Sequence, residues 1–300
     1  MKPILLLIAC VFTFSTAFAQ EATPEATLEL DTANDYVARA EDSMGRMEFR
    51  FAIVDYDAAL ALDAVNIAAL LGRARAGTEV ANWEQALADT NLVLAVQPEN
   101  ATALSIRGYV TAITGTETEG LADLQAAKIA DPTSTDPYNY LALYYLSQRK
   151  LDEALIELNA SLELDPEQPL TLNSRSVVYY YKEDIAHSLG DLDAAIALNP
   201  QSAFLLTNRA ALARSNSNLQ SSLSDLNQAV AAQPLFALAY LQRAFTYIEL
   251  AKADAVQARP YYEVAISDLD AYMRLENPDD AFSGIAEYRA NLVTILAALP

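Results

Sequence analysis

The sequence contains one cysteine and one histidine in 300 residues. Two such residues cannot supply the ligand set of a zinc, haem or iron–sulfur centre, and a lone cysteine has no partner for an intrachain disulfide. Basic residues are also scarce, with 19 Lys and Arg against 40 Asp and Glu and a formal net charge of −21. A surface of that sign repels phosphate backbones and anionic headgroups, which excludes ordinary nucleic-acid binding. Glycine-rich phosphate loops and serine nucleophile elbows are absent. The carboxylate pairs Asp191/Asp193 and Asp268/Asp270 lack the glycine and twelve-residue frame of a calcium loop. His187 stands without a second histidine and reads as a surface or packing residue. The expectation is no catalysis, no metal and no cofactor. What the chain does have is a 53% hydrophobic content with only 20% charge, too apolar for disorder and sufficient for a large core.

Residues 1–19 read as a cleaved secretory signal. Met1 and Lys2 give a positive start, Ile4 to Phe14 a mostly apolar run, and Ala17-Phe18-Ala19 a small-x-small cleavage site before Gln20. The run is too short for a membrane span, and no later stretch qualifies as one. An alternative is a lipoprotein-type box at Leu7-Ile8-Ala9-Cys10, which would acylate Cys10, although only six apolar residues precede that cysteine. The expected location is therefore secreted or extracytoplasmic, in a periplasm or at a cell surface. Cleavage after Ala19 removes the only cysteine, so stability has to come from packing. Residues 20–32 form an acidic linker.

A 34-residue period organises the remainder. Pro98, Pro132, Pro166, Pro200 and Pro234 are spaced 34 apart, and one step back falls on Ala64. Before each proline runs a helical pattern such as Leu151-Asp152-Glu153-Ala154-Leu155-Ile156-Glu157-Leu158. Proline ends the helix because it lacks an amide hydrogen and disfavours helical geometry in the residue before it. Asn66, Asn100, Ser134 and Ser202 follow at equivalent places as candidate caps of the next helix. Small residues recur at one first-helix position, Ala40, Ala74, Gly108, Ala142, Ser176, Ala210 and Ala244, where bulk would hold paired helices apart. Each unit is thus a helical hairpin, with units near 33–66, 67–100, 101–134, 135–168, 169–202, 203–236 and 237–280. Gly120 and Ser188 stand at the second-helix alanine position, and Ala251 to Pro260 lengthens the last unit. A helix over 281–299, with Phe282, Ile285, Leu292, Val293 and Leu296 facing the last repeat, is expected to cap the array. Its apolar end, Ile295 to Pro300, either docks or offers a contact.

These hairpins resemble tetratricopeptide repeats. The clearest match is Tyr138, Leu141, Ala142, Tyr145, Ala154 and Pro166; Leu104, Gly108 and Pro132, then Leu70, Ala74, Ala86 and Pro98, and Tyr240, Ala244, Tyr247 and Pro278 match in part. The resemblance implies an all-α, right-handed superhelical solenoid of antiparallel helix hairpins over residues 33–300. It also implies a scaffold that binds another protein or peptide along its first helices. Carrying the family's groove offsets across gives Tyr109 in one unit and Asn139, Tyr140 and Leu143 in the next. Asn173, Val177 and Tyr180 follow, then Thr207, Asn208 and Ala211, and finally Gln242 and Phe245. The set is aromatic and neutral and holds no lysine, unlike the family's versions that clamp a terminal carboxylate. A neutral or basic partner segment is expected.

Two charged series share the period. Arg39, Arg73, Arg107, Arg175, Arg209 and Arg243 recur on first helices, and Asp55, Asp89, Asp123, Asp191 and Asp225 lie sixteen residues after their arginines. The unit with Leu141 in place of arginine carries Glu157 in place of aspartate. This joint change favours an ion pair inside each hairpin over a ladder for an acidic ligand.

Overall fold

The computed structural model describes residues 32–276 and 284–299, and every regular element among them is an α-helix. The expected leader at 1–19, the linker up to residue 31, and Pro278 and Phe282 lie outside the described residues. The chain divides into two compact units after Leu198. The first contains five antiparallel hairpins: α1 (Ala33–Gly45) with α2 (Phe49–Leu62), α3 (Ile67–Glu79) with α4 (Trp83–Val96), α5 (Ala101–Thr114) with α6 (Glu117–Ala130), α7 (Asp136–Ser147) with α8 (Leu151–Leu164), and α9 (Pro169–Tyr181) with α10 (Ile185–Leu198). The second contains α11 (Ala203–Ser215) with α12 (Leu219–Ala232), α13 (Ala237–Ala253) with α14 (Ala258–Leu275), and a final α15 (Ile285–Ala298).

Side-chain caps start many of the first helices. The Asn66, Asn100 and Ser202 side chains accept from the amides of Ala69, Ala103 and Leu205 at 3.0, 2.9 and 3.3 Å. Ser134 does not cap: α7 starts later, at Asp136, after Thr135, which makes no side-chain cap bond. Pro137 in its first turn has no amide hydrogen for a cap to satisfy. Hairpin turns use a left-handed residue at the same period, with φ of 57 to 61° at Met47, Ala81, Arg149, Glu183 and Ser217. The next amide in each turn reaches back five residues, as Lys150 N–H does to the Tyr145 carbonyl at 2.9 Å. That bond helps offset the roughly 1–2 kcal/mol that a side chain costs in this conformation.

Packing follows the small-residue positions. A Cβ added to Gly108 would stand 2.7 Å from the Gly120 carbonyl oxygen, and one added to Gly120 only 2.4 Å from that of Gly108, so α5 and α6 meet backbone to backbone. Ser188 makes the equivalent approach by donating to the Ser176 carbonyl at 2.8 Å, both residues being buried. Around these crossings Leu124, Leu158, Leu192 and Leu226 fill one recurring position and are all but fully buried. Removing such a side chain costs roughly 2–5 kcal/mol. In α2 the equivalent residue is Tyr56; its ring occupies the space that a Cβ on Gly72 would need.

The arginine series is paired throughout. In each case Nε and Nη2 donate to both carboxylate oxygens: Arg39 to Asp55, Arg73 to Asp89, Arg107 to Asp123, Arg175 to Asp191 and Arg209 to Asp225, at 2.5 to 2.9 Å. Arg243 pairs with Asp268, 25 residues away, because both helices of that hairpin are lengthened. Several of these guanidiniums also bridge to the preceding hairpin, where Nη1 meets Asp57, Asn91, Asn159 or Asn227. The Leu141 hairpin lacks a guanidinium, and Glu157 instead accepts from Lys128 of α6 at 2.6 Å. With their donors engaged in this way, the arginines are struts of the fold.

The inserted residues extend α13 and α14 rather than forming a loop, and Pro260 is accommodated in the first turn of α14. Ile285 and Leu292 bury α15 against Tyr262, Ile266 and Leu269, with Leu296 and Leu299 partly covered. Arg289 grips Asp270 through two bonds at 2.8 and 2.9 Å. Val293 does not face the repeat, because it lies about 100° around the helix from Leu292 and is 39% exposed; Ile295 also faces solvent. Helix α15 therefore docks through one stripe only.

A double-mutant cycle checks the pairing. Arg107→Leu and Asp123→Leu should each destabilise by about 1–3 kcal/mol, and the double variant should lose less than their sum by about 1 kcal/mol or more. Fully additive losses in chemical denaturation would mean that the two do not interact.

Candidate functional site

The first helices of successive hairpins place every thirty-fourth residue in one row, so a groove position in one unit predicts its neighbours. In the first unit the row through Tyr109 includes Leu143 and Val177, and one step back it reaches Arg75. Tyr109 and Tyr140 lie against each other with ring centroids 5.4 Å apart, and Trp83 meets Tyr109 edge-on at 6.0 Å. The Tyr140 hydroxyl is 3.5 Å from Thr78 Oγ1. Tyr109, Tyr140, Asn173 and Val177 are buried, while Asn139, Leu143 and Tyr180 are half-buried. Asn139 is engaged within the fold: its Nδ2 donates to Gln168 Oε1 at 3.0 Å and its Oδ1 accepts from Thr171 at 3.0 Å. Tyr180 packs edge-on against Tyr181.

Arg75 is the cation of this face, and residue-by-residue transfer of the groove offsets missed it. Its Nη2 donates to Asp136 Oδ2 at 3.2 Å, which also accepts from Thr102 at 2.6 Å, so three successive first helices are joined across the face. Glu41 accepts from the Tyr56 hydroxyl at 2.7 Å and lies within electrostatic reach of Arg75. Glu79 sits beside Arg75, Tyr109 and Tyr140; withdrawal from solvent pushes its carboxyl up to about 7, only partly countered by Arg75. Burial likewise raises the Tyr109 and Tyr140 hydroxyls, so both stay protonated. The face carries three carboxyl groups around one guanidinium, and its net charge becomes more negative as Glu79 ionises.

In the second unit Thr207, Asn208 and Ala211 of α11 are buried, as is Gln242 of α13, while Phe245 is half-buried. Arg214 of α11 stands 34 residues after Tyr180 in the sequence; following the repeat period by one more step would have found it. Its Nη2 donates to Gln242 Oε1 at 3.1 Å and its Nη1 to Glu249 Oε1 at 2.7 Å. Phe245 lies between the Arg214 guanidinium, 6.0 Å from its ring centroid, and the Tyr288 ring of α15 at 6.0 Å. His187 is solvent-facing, stacked on Tyr179 and bonded to Asp184 at 2.7 Å. Among the described residues no cluster of His, Cys, Asp and Glu is arranged to hold a metal, and no helix is long and apolar enough to cross a membrane.

The elevated Glu79 carboxyl gives a stability test. Between pH about 4.5 and about 7 the folded chain holds a proton on Glu79 that the unfolded chain has released, so this group lowers stability as pH rises through that window. Glu79→Gln should therefore be more stable than the parent at pH 8 by on the order of 1 kcal/mol and indistinguishable from it near pH 4. Thermal melting of both proteins at the two pH values checks this.

No family model matches the sequence, and no curated protein matches it. Solved structures do. The chain is similar to a tetratricopeptide repeat protein from Parabacteroides merdae, with a TM-score of 0.51 and 15% identity over 88% of this chain and 98% of that one. It is similar to yeast Tom70, with a TM-score of 0.62 and 14% identity over 98% of this chain and 70% of that one. The APC/C hetero-tetramer Cut9–Hcn1 gives a TM-score of 0.57 and 14% identity over 87% of this chain and 53% of that one. At these identities the likeness is one of fold, and the fold of this chain is that of a tetratricopeptide-repeat array.

Proposed function

We propose that this chain is an exported, non-catalytic scaffold whose first-helix face in residues 32–198 holds a neutral-to-basic segment of a partner protein. The observation that carries the reading is the cluster of Glu41, Glu79 and Asp136 around Arg75, set beside the Tyr109–Tyr140 ring pair. A lysine or arginine of an incoming segment meets excess carboxylate there. Repeat arrays of this kind build extended binding surfaces, which supports a scaffold. The signal-like residues 1–19 support export, and an intact mass beginning at Gln20 in protein recovered outside the cytoplasm checks it; an acylated Cys10 would indicate a membrane tether instead.

Selection of a random peptide library on the immobilised full chain tests the binding reading. Enriched peptides should carry Lys or Arg next to aromatic or aliphatic residues. Their affinity should rise several-fold from pH 6 to pH 8 as Glu79 ionises, and this rise should vanish in Glu79→Gln. Enrichment of acidic peptides, or binding that ignores both pH and Glu79, would contradict the proposal.

A further inference from the structure

The second helices of the first unit carry more apolar surface than their hairpins use. In α4 the residues Ala86, Val93 and Leu94 are buried, yet Ala88, Leu92, Ala95 and Val96 are all exposed, spaced at i, i+4, i+7 and i+8. That is a second apolar stripe on a helix that needs only one to dock. The same places in α6 hold Ala122, Ala126, Ile129 and Ala130, again all exposed, and in α2 Val54 and Leu62 are exposed as well. Leu92 is 56%, Val96 68% and Ile129 72% accessible to solvent. The repeat does not require this chemistry, because α12 carries Ser224 and Gln228 at the places of Ala88 and Leu92, both exposed. In a chain with 40 acidic residues, apolar side chains recurring on neighbouring exposed helices mark a surface that is covered in use.

Charge narrows the choice of what covers it. Between Glu84 and Glu99 the only charged residue is Asp89, which Arg73 holds inside the fold; between Glu119 and Asp131 Asp123 is bound to Arg107 and Lys128 to Glu157. The stripes are therefore neutral, and their ends are rimmed by the exposed carboxylates Glu84, Glu99 and Glu119. A second copy of this chain would bring the same carboxylates against them at a net charge of −21 each, which disfavours self-association. A partner with an aliphatic centre and Lys or Arg at its edges matches both features. The backbone amides and carbonyls of α4 and α6 are spent within their helices, so no edge is offered to a strand and the incoming element has to satisfy its own backbone. Leu92, Val96 and Ile129 standing among alanines give the relief of ridges and hollows against which a helix packs.

We propose that the outward face of the second helices α2, α4 and α6 docks an amphipathic helix of a partner protein, aliphatic along its centre and basic along its edges. This surface lies on different helices from the first-helix face and goes beyond the reading given for that face.

The test uses the full chain with 13C-labelled valine, leucine and isoleucine methyl groups. The probe is an 18-residue helix-forming peptide with one leucine stripe flanked by lysines, and its control is a scrambled peptide of the same composition without the stripe. The striped peptide should shift the Val96 and Ile129 methyl signals saturably, and the scrambled one should bind at least about 10-fold more weakly. The triple variant Leu92→Gln, Val96→Gln, Ile129→Gln, which keeps every charge, should melt like the parent and bind the striped peptide at least about 10-fold more weakly. Equal binding of the scrambled peptide, undiminished affinity in the triple variant, or a lowered melting temperature showing that these side chains hold the fold would overturn the proposal. So would methyl shifts produced by phosphatidylcholine vesicles and not by the peptide, or dimers of the free chain that the triple variant abolishes. Glu79→Gln should leave striped-peptide binding unchanged, so this surface and the first-helix face fail separately.

Discussion

Close approach of paired helices is the constraint from which the rest of this structure follows. A hairpin of two helices of this length cannot bury its apolar stripe alone, so it gains stability only when its neighbours cover it. Covering requires small residues where the backbones cross. Gly108 and Gly120 are in contact without side chains, Ser176 and Ser188 are close enough for a hydroxyl–carbonyl bond, and Ala40, Ala74, Ala142, Ala210 and Ala244 are almost fully buried at the same position. Once the helices are this close, a guanidinium on one and a carboxylate on the other meet edge to edge, and the repeated Arg–Asp pairs lock the register that packing permits.

That arrangement leaves one strip of every first helix clear of its own hairpin partner, and the side chains on it differ from repeat to repeat. The two units use this freedom differently. Residues 32–198 gather carboxyl groups about Arg75 beside aromatic rings, whereas residues 199–299 neutralise Arg214 with Glu249 and bury donors around it.

Much of the fold was legible because its signals are local. Proline at a fixed step marks helix ends, and Asn66, Asn100 and Ser202 cap as their position suggests. The Arg–Asp pairs were legible because Leu141 and Glu157 depart together. Other features depend on geometry that spacing does not carry. The left-handed turns are occupied by Met47, Ala81, Arg149, Glu183 and Ser217 instead of glycine, so no turn residue announces them. Lys128 reaches Glu157 from another hairpin, and Pro137 displaces the start of α7. At the candidate site, Arg75 and Arg214 lie one repeat period in the sequence beyond residues already identified, before Tyr109 and after Tyr180. The raised Glu79 carboxyl and the unpaired Gln242 amide depend on burial, which only the assembled helices determine.

The most direct measurement compares chemical denaturation of Gly120→Ala with that of Gly115→Ala in the full chain. A Cβ at Gly120 would strike the Gly108 carbonyl, whereas one at Gly115 meets nothing within 4 Å. Close approach predicts a loss of about 1–3 kcal/mol at Gly120 despite alanine's better helix propensity, and little change at Gly115. Equal stability of the two variants, or a more stable Gly120→Ala, would contradict the packing on which both faces are built.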